Sequence, residues 1–301
     1  MRRESEGAVT MMVGGRPYRA LDARSWDASA RVSVMDAEEV RIQALSPMPE
    51  LFGYWFEPES TTALAARSND LIGELVSARP DRFVGLGTLT LQDPEAALRQ
   101  IESLAAAGFV GVEVGTHVNG DSLANERFAP VFAALEAAGL CVLIHSVRPR
   151  GFANGGKIAG LEMLIGYPLD TARTFAELLG GRFTMLYPTL RLGFCHCGGA
   201  SGFLLPRLRR GTAVAPHIAA HLGDVDAAAR SFYYDTITFD AALLRLAIES
   251  FGADRIMVGS DFPYPLYTRR PQSMTEDLGL DDAAREAILE GNARRFLGLS
   301  R

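Results

Sequence analysis

Residues 141–145 read CVLIH, a short apolar run that ends on a histidine. Two later stretches repeat the pattern: LGFCH at 192–196 ends on His196, and IMVGSD at 256–261 ends on Asp261. In a parallel barrel the strands are buried, and the side chains at their carboxyl ends build the active site. The three endings, on His145, His196 and Asp261, therefore predict a parallel α/β fold with a polar site at one rim.

The rest of the chain alternates short apolar runs with segments of helical period, which is typical of repeated βα units. One helix is expected to begin at Asp93 and Pro94 and to end at Gly108, and a second to end at Gly139. A last helix is predicted over residues 282–297. Seven strands are predicted, over residues 40–45, 83–89, 111–115, 141–145, 192–196, 232–239 and 256–261.

Seven strands are one fewer than a closed barrel needs. Before residue 40 the chain offers a helical stretch at 29–39 and an irregular segment around Met11 and Met12, and neither resembles a buried strand. We predict an α/β fold, a (β/α)8 TIM-like barrel whose first strand is missing and lies upstream of Met1. Residues 1–301 are expected to form a single domain, with loop excursions over 48–59 and 148–167 at the catalytic face.

The composition of the chain argues against two classes of partner, nucleic acids and membranes. The net charge is −6, and the basic residues form no stripe, so a nucleic-acid partner is not expected. No apolar run has the length of a membrane span, which predicts a protein without a membrane partner. Cys141, Cys195 and Cys197 all lie in apolar runs, where thiols behave as small buried side chains. A reduced, cytoplasmic protein is the expectation.

Besides the three strand endings, the chain contains a series of short motifs: Trp26-Asp27, Met35-Asp36-Ala37, Phe52-Gly53-Tyr54, HCGG at 196–199, GSDFPYP at 259–265 and Gly291-Asn292-Ala293. In their order and spacing these motifs resemble the amidohydrolase superfamily, in the branch of aminocarboxymuconate semialdehyde decarboxylase. The resemblance covers nearly the whole chain and implies a (β/α)8 barrel of the metal-dependent hydrolase type with one divalent metal ion, usually Zn²⁺.

The resemblance implies a role for individual residues. His145 is a metal ligand, Asp261 is the metal-bound carboxylate, and His196 is the catalytic acid/base. Arg19 matches a binder of the substrate carboxylate. Arg207 matches an arginine that reaches the site of the neighbouring subunit, which implies a homodimer.

One departure from the family pattern limits the predicted metal site. Family members begin with a strand that ends His-x-His and supplies two ligands, and this sequence contains no such pair; its histidines are at 117, 145, 196, 217 and 221. A catalytic zinc site ordinarily has three protein ligands and an open position. With two recognised ligands, the chain as written is expected to bind metal poorly.

Each candidate also has a structural explanation without function. A histidine such as His145, at the end of an apolar run, is often a core residue whose hydrogen bonds are all made within the protein. An aspartate such as Asp261, before Phe-Pro, often only stabilises a turn, and Arg19 could be a solvated surface charge. His117 is a conceivable substitute ligand but more typical of a loop. His217 and His221 have the spacing of a chelating pair on a helix, although a solvated face is the commoner explanation.

Three functions follow from these residues. The first is a metal-dependent, non-oxidative decarboxylase, a carboxy-lyase that acts on a small unsaturated or aromatic carboxylic acid. In this hypothesis metal-bound water and His196 deliver a proton to the carbon that bears the carboxylate. The second is a metal-dependent hydrolase of a lactone or amide, which uses the same groups. The third is a catalytically impaired barrel that serves as a binding or association module.

Overall fold

The computed structural model describes residues 2–3, 9–13, 15–152, 160–264 and 266–299. The strands are β1 (Arg2–Arg3), β2 (Val9–Val13), β3 (Arg16–Leu21), β4 (Gln43–Leu45), β5 (Phe83–Gly87), β6 (Gly111–Gly115), β7 (His117–Val118), β8 (Asp121–Ser122), β9 (Cys141–His145), β10 (Leu192–Phe194), β11 (Tyr233–Asp235) and β12 (Ile256–Met257). The helices are α1 (Ala28–Ala37), α2 (Pro58–Ala78), α3 (Pro94–Ala106), α4 (Ala129–Ala137), α5 (Tyr167–Gly180), α6 (Phe183–Leu186), α7 (Ser201–Val214), α8 (Pro216–Leu222), α9 (Val225–Ala229), α10 (Ala241–Phe251), α11 (Asp282–Glu286) and α12 (Asn292–Leu297).

Seven parallel strands form the central sheet, in the order β12-β11-β10-β9-β6-β5-β4. They are the seven strands that the sequence predicts, so the α/β class and the strand count are confirmed for the described residues. Helices connect successive strands, as parallel pairing requires. The predicted helix caps are also present, because the side chain of Asp93 accepts a hydrogen bond from the backbone N–H of Ala96 at the start of α3.

Four strands are shorter than predicted at their carboxyl ends, and the first of them is β5, which ends at Gly87 and not at residue 89. The sequence places His196 and Asp261 on strands, but β10 ends at Phe194 and β12 ends at Met257. The strand predicted over 232–239 ends at Asp235, whose carboxylate accepts a hydrogen bond from the backbone N–H of Ile237 and so supports a turn. His196 and Asp261 therefore lie on turns that follow the strands, whereas His145 is the last residue of β9.

The first part of the chain adds a small antiparallel sheet of β1, β2 and β3. The segment around Met11, which the sequence analysis treats as irregular, is strand β2, and Met11 pairs with Arg19 of β3. This sheet is separate from the parallel one, so no described residue adds an eighth parallel strand. A cavity of about 1150 Å³ lies between the edge strands β4 and β12. The upstream strand stays a prediction.

The core lies between the sheet and its outer helices. Phe175 of α5 contacts Phe194 of β10 and Phe232 edge to face, and the ring of Tyr234 stacks on Phe251 of α10 with 3.8 Å between centroids. Such pairs add to the stability that burial of the rings already gives. They hold β10 and β11, which precede the rim turns, against α5 and α10.

The two predicted excursions both follow strands of the sheet. Residues 48–59 contain a short 3-10 turn over Pro49–Leu51 and lead into α2. Of residues 148–167, the structure describes 148–152 and 160–167; the remainder of this prediction, 153–159, lies outside the described residues. No helix of the described chain is both long enough and apolar enough to cross a bilayer.

Candidate metal centre

Three side chains that can bind a metal ion meet at the carboxyl ends of the parallel strands. Ligand atoms of His145, His196 and Asp261 all lie within 4.8 Å of one another. The two imidazole rings meet edge to face, with 4.7 Å between their centroids. The sequence predicts these three residues as one group at a rim, and the structure brings them together.

His145 presents one ring nitrogen to this group. It is the last residue of β9 and is buried, and its Nδ1 lies 2.7 Å from the carbonyl oxygen of Ser146. A carbonyl only accepts hydrogen bonds, so Nδ1 carries the proton and the lone pair is on Nε2. Burial lowers the pKa of His145 to about 4. The ring is therefore neutral at pH 7, as a metal ligand must be.

His196 lies on an unusual turn. His196 and Cys197 both have left-handed backbone conformations, with φ of 55° and 52°, which cost free energy in residues other than glycine. Gly199 follows with φ of 61°, and a Cβ there would lie 2.3 Å from the carbonyl oxygen of Pro168. Only glycine fits this close approach, which explains one glycine of the HCGG motif.

Asp235 holds the turn in place from the neighbouring strand. Its carboxylate accepts hydrogen bonds from the backbone N–H groups of His196 and Cys197, each at 2.8 Å. The carboxylate is buried, and burial raises its pKa to about 6 although the N–H groups oppose this. Asp235 thus fixes the backbone that carries the His196 ring. The signal in the sequence is an acidic residue inside the predicted strand over 232–239, which indicates either a group that supports the site or a hydrogen bond within the barrel.

Electrostatics at the site favour a cation. Burial raises the pKa of Asp261 to about 7, and the nearby carboxylate of Asp235 adds to the increase. Burial and the neighbouring His145 lower the pKa of His196 to about 3. The neutral imidazole of His145 and the carboxylate of Asp261 provide one nitrogen and one oxygen donor, and the neutral ring of His196 lies beside them. These donors fit a divalent transition-metal ion, which would stabilise the ionised form of Asp261.

The two predicted arginines lie in different surroundings. Arg19, on β3, lines a second cavity of about 390 Å³ together with His145, His196 and Asp261. Arg207 is exposed on α7 and does not line that cavity. Within one chain the structure therefore brings Arg19 to the rim and leaves Arg207 away from it.

The other histidines have structural surroundings. The backbone N–H of Gly120 donates to Nδ1 of His117, so the Nε2–H of this ring donates to the carbonyl oxygen of Arg148 at 3.0 Å. Both nitrogens are used, and His117 lies on the short strand β7, outside the parallel sheet. His217 and His221 are exposed on α8, and they belong to no cluster of potential metal ligands among the described residues.

The structure adds three residues that the sequence analysis did not select. Glu113 lies buried in the middle of β6 and lines the larger cavity, and burial raises its pKa to about 8. A charged residue inside the apolar run GVEVG was the signal for it. Glu50 and Tyr264 both line the smaller cavity beside Arg19. The sequence around Glu50 and Tyr264 does not indicate that they lie at this cavity, because the cavity is lined by residues from distant parts of the chain.

A parallel sheet with outer helices and metal-binding side chains at the carboxyl ends of its strands defines the class of metal-dependent α/β-barrel enzymes. The sequence profile of the family described as Amidohydrolase matches residues 16–299. The chain therefore belongs to the amidohydrolase family, as the motif order predicts.

Individual relatives place it in the predicted branch. The 2-amino-3-carboxymuconate-6-semialdehyde decarboxylase of Dictyostelium discoideum is 30% identical over 293 residues, which are 96% of this chain and 81% of that protein. The structure of 5-carboxyvanillate decarboxylase from Sphingomonas paucimobilis is 28% identical, with a TM-score of 0.81, and the match covers 90% of this chain and 83% of the other. Both relatives are named as decarboxylases, the carboxy-lyase class that the sequence predicts.

A third relative contains a metal ion. The dihydroxybenzoic acid decarboxylase of Polaromonas sp. JS666, solved with bound manganese and the inhibitor 2-nitroresorcinol, is 26% identical with a TM-score of 0.80. The match covers 90% of this chain and 86% of that chain. A divalent metal thus occurs in a similar structure, and the metal found there is manganese.

Proposed function

We propose that this protein is a metal-dependent, non-oxidative decarboxylase of a small aromatic or unsaturated carboxylic acid. The observation that carries the proposal is the meeting of His145, His196 and Asp261 within 4.8 Å, in a chain of this family. The names of the relatives favour carbon dioxide release over hydrolysis of a lactone or amide. They also favour an active enzyme over an impaired barrel.

In this proposal His145 and Asp261 hold a divalent cation. The family resemblance implies Zn²⁺, whereas a relative contains manganese, so the experiment below tests both ions. When bound, the ion supplies Lewis acidity that stabilises negative charge on the substrate. His145 offers Nε2, because its Nδ1–H is used by Ser146. Asp261 offers an ionised carboxylate once its proton has left.

His196 moves the proton of the reaction. With a pKa lowered to about 3, its ring starts neutral and so acts first as a base. It accepts the proton of a substrate hydroxyl group and returns it to the ring carbon that bears the carboxylate. The bond from that carbon to the carboxyl group then breaks, carbon dioxide leaves, and the bonding electrons return to the ring. Solvent then returns a proton to the hydroxyl oxygen. In the net reaction the substrate takes up one proton and loses its carboxylate group as carbon dioxide.

Arg19 orients the substrate in this proposal. Its guanidinium lies at the smaller cavity with the three site residues. The ring of Tyr264 lies 4.4 Å below the guanidinium carbon, and this contact holds the arginine in place. A planar guanidinium can donate two N–H bonds to one carboxylate, so in this proposal Arg19 binds a carboxylate of the substrate.

A homodimer is the second part of the proposal. Apolar side chains stand exposed around the smaller cavity, and Phe203 of α7 is 79% exposed. Leu164, Phe239 and Leu243 are also exposed and line the same cavity. Apolar groups clustered in this way are typical of association surfaces. We propose that a second copy of the chain covers this face. Arg207 follows Phe203 by four residues on the same helix, so in the dimer Arg207 of one subunit would reach the metal site of the other.

A cytoplasmic location is the third part of the proposal. Cys141, Cys195 and Cys197 are all buried free thiols. Free thiols are typical of a reducing compartment, in agreement with the cytoplasmic location that the sequence predicts.

The test is carbon dioxide release by purified protein loaded in parallel with Zn²⁺ or Mn²⁺. Hydroxybenzoic acids and a muconate-type acid are the substrates, and lactone and amide substrates are assayed beside them. We expect carbon dioxide from at least one acid and no ring opening. Ring opening without carbon dioxide supports the hydrolase, and inactivity of the metal-loaded protein on every substrate supports the impaired barrel. Light scattering of the wild type and of Phe203→Asp tests the dimer, which the substitution is expected to dissociate.

A further inference from the structure

The guanidinium of Arg19 contacts two side chains at the wall of the smaller cavity. Its Nη2 donates to Oε1 of Glu50 at 2.9 Å, and the two side chains are 19% and 12% exposed. The ring of Tyr264 lies 4.4 Å from the guanidinium carbon. Because the ion pair is mostly withheld from water, its interaction is screened less than that of a surface pair.

These three residues come from separate parts of the chain. Arg19 lies on β3 of the antiparallel sheet, Glu50 lies on the 3-10 turn after β4, and Tyr264 follows β12. The backbone N–H of Tyr264 donates to the carbonyl oxygen of Asp261 at 3.0 Å. Glu50 and Tyr264 therefore connect an arginine of the antiparallel sheet to the rim of the parallel sheet.

The charge of Arg19 acts on the candidate metal centre. Burial is the main cause of the altered pKa values of His145 and Asp261, and the guanidinium of Arg19 contributes a decrease to both. Arg19 also lines the smaller cavity together with these two residues. A carboxylate that binds to Arg19 therefore lies beside the candidate metal centre.

A carboxylate binds best to an arginine that is already ordered. The arginine side chain is long and flexible, and ordering it when a ligand arrives reduces the affinity. The bond to Glu50 uses one of the five N–H groups of the guanidinium, and a bidentate contact with a carboxylate needs two.

The negative charge of Glu50 also repels a carboxylate ligand. Its pairing with Arg19 offsets much of this repulsion, because the two charges lie in direct contact. The gain from an ordered guanidinium is therefore expected to exceed the loss from repulsion. Removing the side chain of Glu50 should weaken the binding of a carboxylate.

We propose that Glu50 is a positioning residue, which together with Tyr264 holds the guanidinium of Arg19 in the orientation that binds a substrate carboxylate. The acceptor oxygen of Glu50, more than its charge, supplies this effect. The inference rests on the proposed function, because it concerns how the same site binds its acid.

The test is calorimetry of isophthalate, a benzene ring with two carboxylates, on the metal-loaded protein. In Glu50→Ala, which removes the acceptor, the affinity is expected to fall about tenfold. In Glu50→Gln the amide oxygen still accepts a hydrogen bond from Nη2 of Arg19. The affinity of Glu50→Gln is therefore expected to stay within about threefold of the wild type.

A double-mutant cycle shows whether Glu50 acts through Arg19. Arg19→Ala is expected to weaken isophthalate binding about tenfold or more, and adding Glu50→Ala to it is expected to cause no further loss. Glu57→Ala is the control, because it removes an exposed carboxylate seven residues along the chain, and it is expected to leave the affinity unchanged. Circular dichroism verifies that each variant is folded. If Glu50→Ala does not fold, Arg19→Ala and Glu50→Gln still test the inference.

The possible results separate this inference from the proposed function. Unchanged or tighter binding by Glu50→Ala overturns the inference, even if the wild type releases carbon dioxide. Equal losses in Glu50→Ala and Glu50→Gln, additive losses in the cycle, full affinity in Arg19→Ala, or no binding by the wild type overturn it too. The expected pattern in a protein that decarboxylates nothing supports the inference as a binding property and contradicts the proposed function.

Discussion

Two buried groups of His and Asp side chains lie near the carboxyl ends of the parallel strands, and they differ in what their polar atoms face. In the rim group, His145, His196 and Asp261 line both cavities. In the loop group, Thr116, His117, Arg150 and Asp170 bond to one another or to the backbone. In the loop group Asp170 is paired with Arg150 at 2.8 Å.

The comparison shows that buried histidine and aspartate residues do not by themselves identify a catalytic site. Paired groups such as Asp170 and Arg150 cross-link the loop after β9 to α5 and stabilise the fold. The rim group instead has raised and lowered pKa values, left-handed backbone at His196 and Asp261, and side chains that line two cavities. Strain and perturbed pKa values at one place are typical of functional sites.

Replacing one histidine from each group gives the largest expected contrast. His196→Gln is expected to lower kcat about 1000-fold, because the proton carrier is lost, while metal content stays at the wild-type level. His117→Gln is the matched control and is expected to keep kcat within about threefold of the wild type. Carbon dioxide release and metal analysis by mass spectrometry measure both quantities. Equal loss of metal and turnover in His196→Gln contradicts its assignment as the acid/base.

Asp235 tests whether the turn at His196 must be held in place. In Asp235→Asn one oxygen becomes an NH₂ group that cannot accept from the backbone N–H of His196 or Cys197. We expect kcat to fall about 10- to 100-fold with KM nearly constant, since the variant affects a group that supports the site. Steady-state kinetics over a pH series measures this, and Asp235→Glu is expected to recover part of kcat. A change in thermal stability without a change in kcat contradicts the positioning role.

The affinity for metal is expected to depend on pH through Asp261. Its pKa is raised to about 7, so in the metal-free protein its carboxyl is protonated below that pH and must lose the proton when a cation binds. Affinity is therefore expected to fall about tenfold per pH unit below 7 and to be constant well above it. His145, with a pKa of about 4, stays neutral in this range. Calorimetry in two buffers counts the released proton, and affinity independent of pH from 5 to 8 contradicts this assignment.

Asp170 is expected to have the smallest effect on activity. Asp170→Asn removes the charge that pairs with Arg150 and leaves a buried guanidinium less well compensated. We expect the free energy of unfolding to fall by about 3–5 kcal/mol and kcat to stay within about threefold of the wild type. Denaturant titration and kinetics at a temperature where the variant is folded measure the two. Loss of kcat without loss of stability contradicts the structural role of the loop group.

Much of this arrangement could be predicted from the sequence. Apolar runs that end on His145, His196 and Asp261 locate the strands and the rim, because burial and strand direction are encoded locally. The sequence does not show that β10 ends before His196, since this depends on a hydrogen bond from the backbone N–H of His196 to the carboxylate of Asp235, 39 residues away. It also does not show the pair of Arg19 and Glu50, which joins two separate segments. Contacts of this kind depend on tertiary structure.

The measurement that tests the central claim most directly is anomalous diffraction from crystals of the protein grown with Zn²⁺ or Mn²⁺. The account predicts one strong anomalous peak about 2.0–2.2 Å from Nε2 of His145 and from a carboxylate oxygen of Asp261. A metal-loaded crystal with no peak between these residues, or with its peak at His217 and His221 instead, contradicts the account.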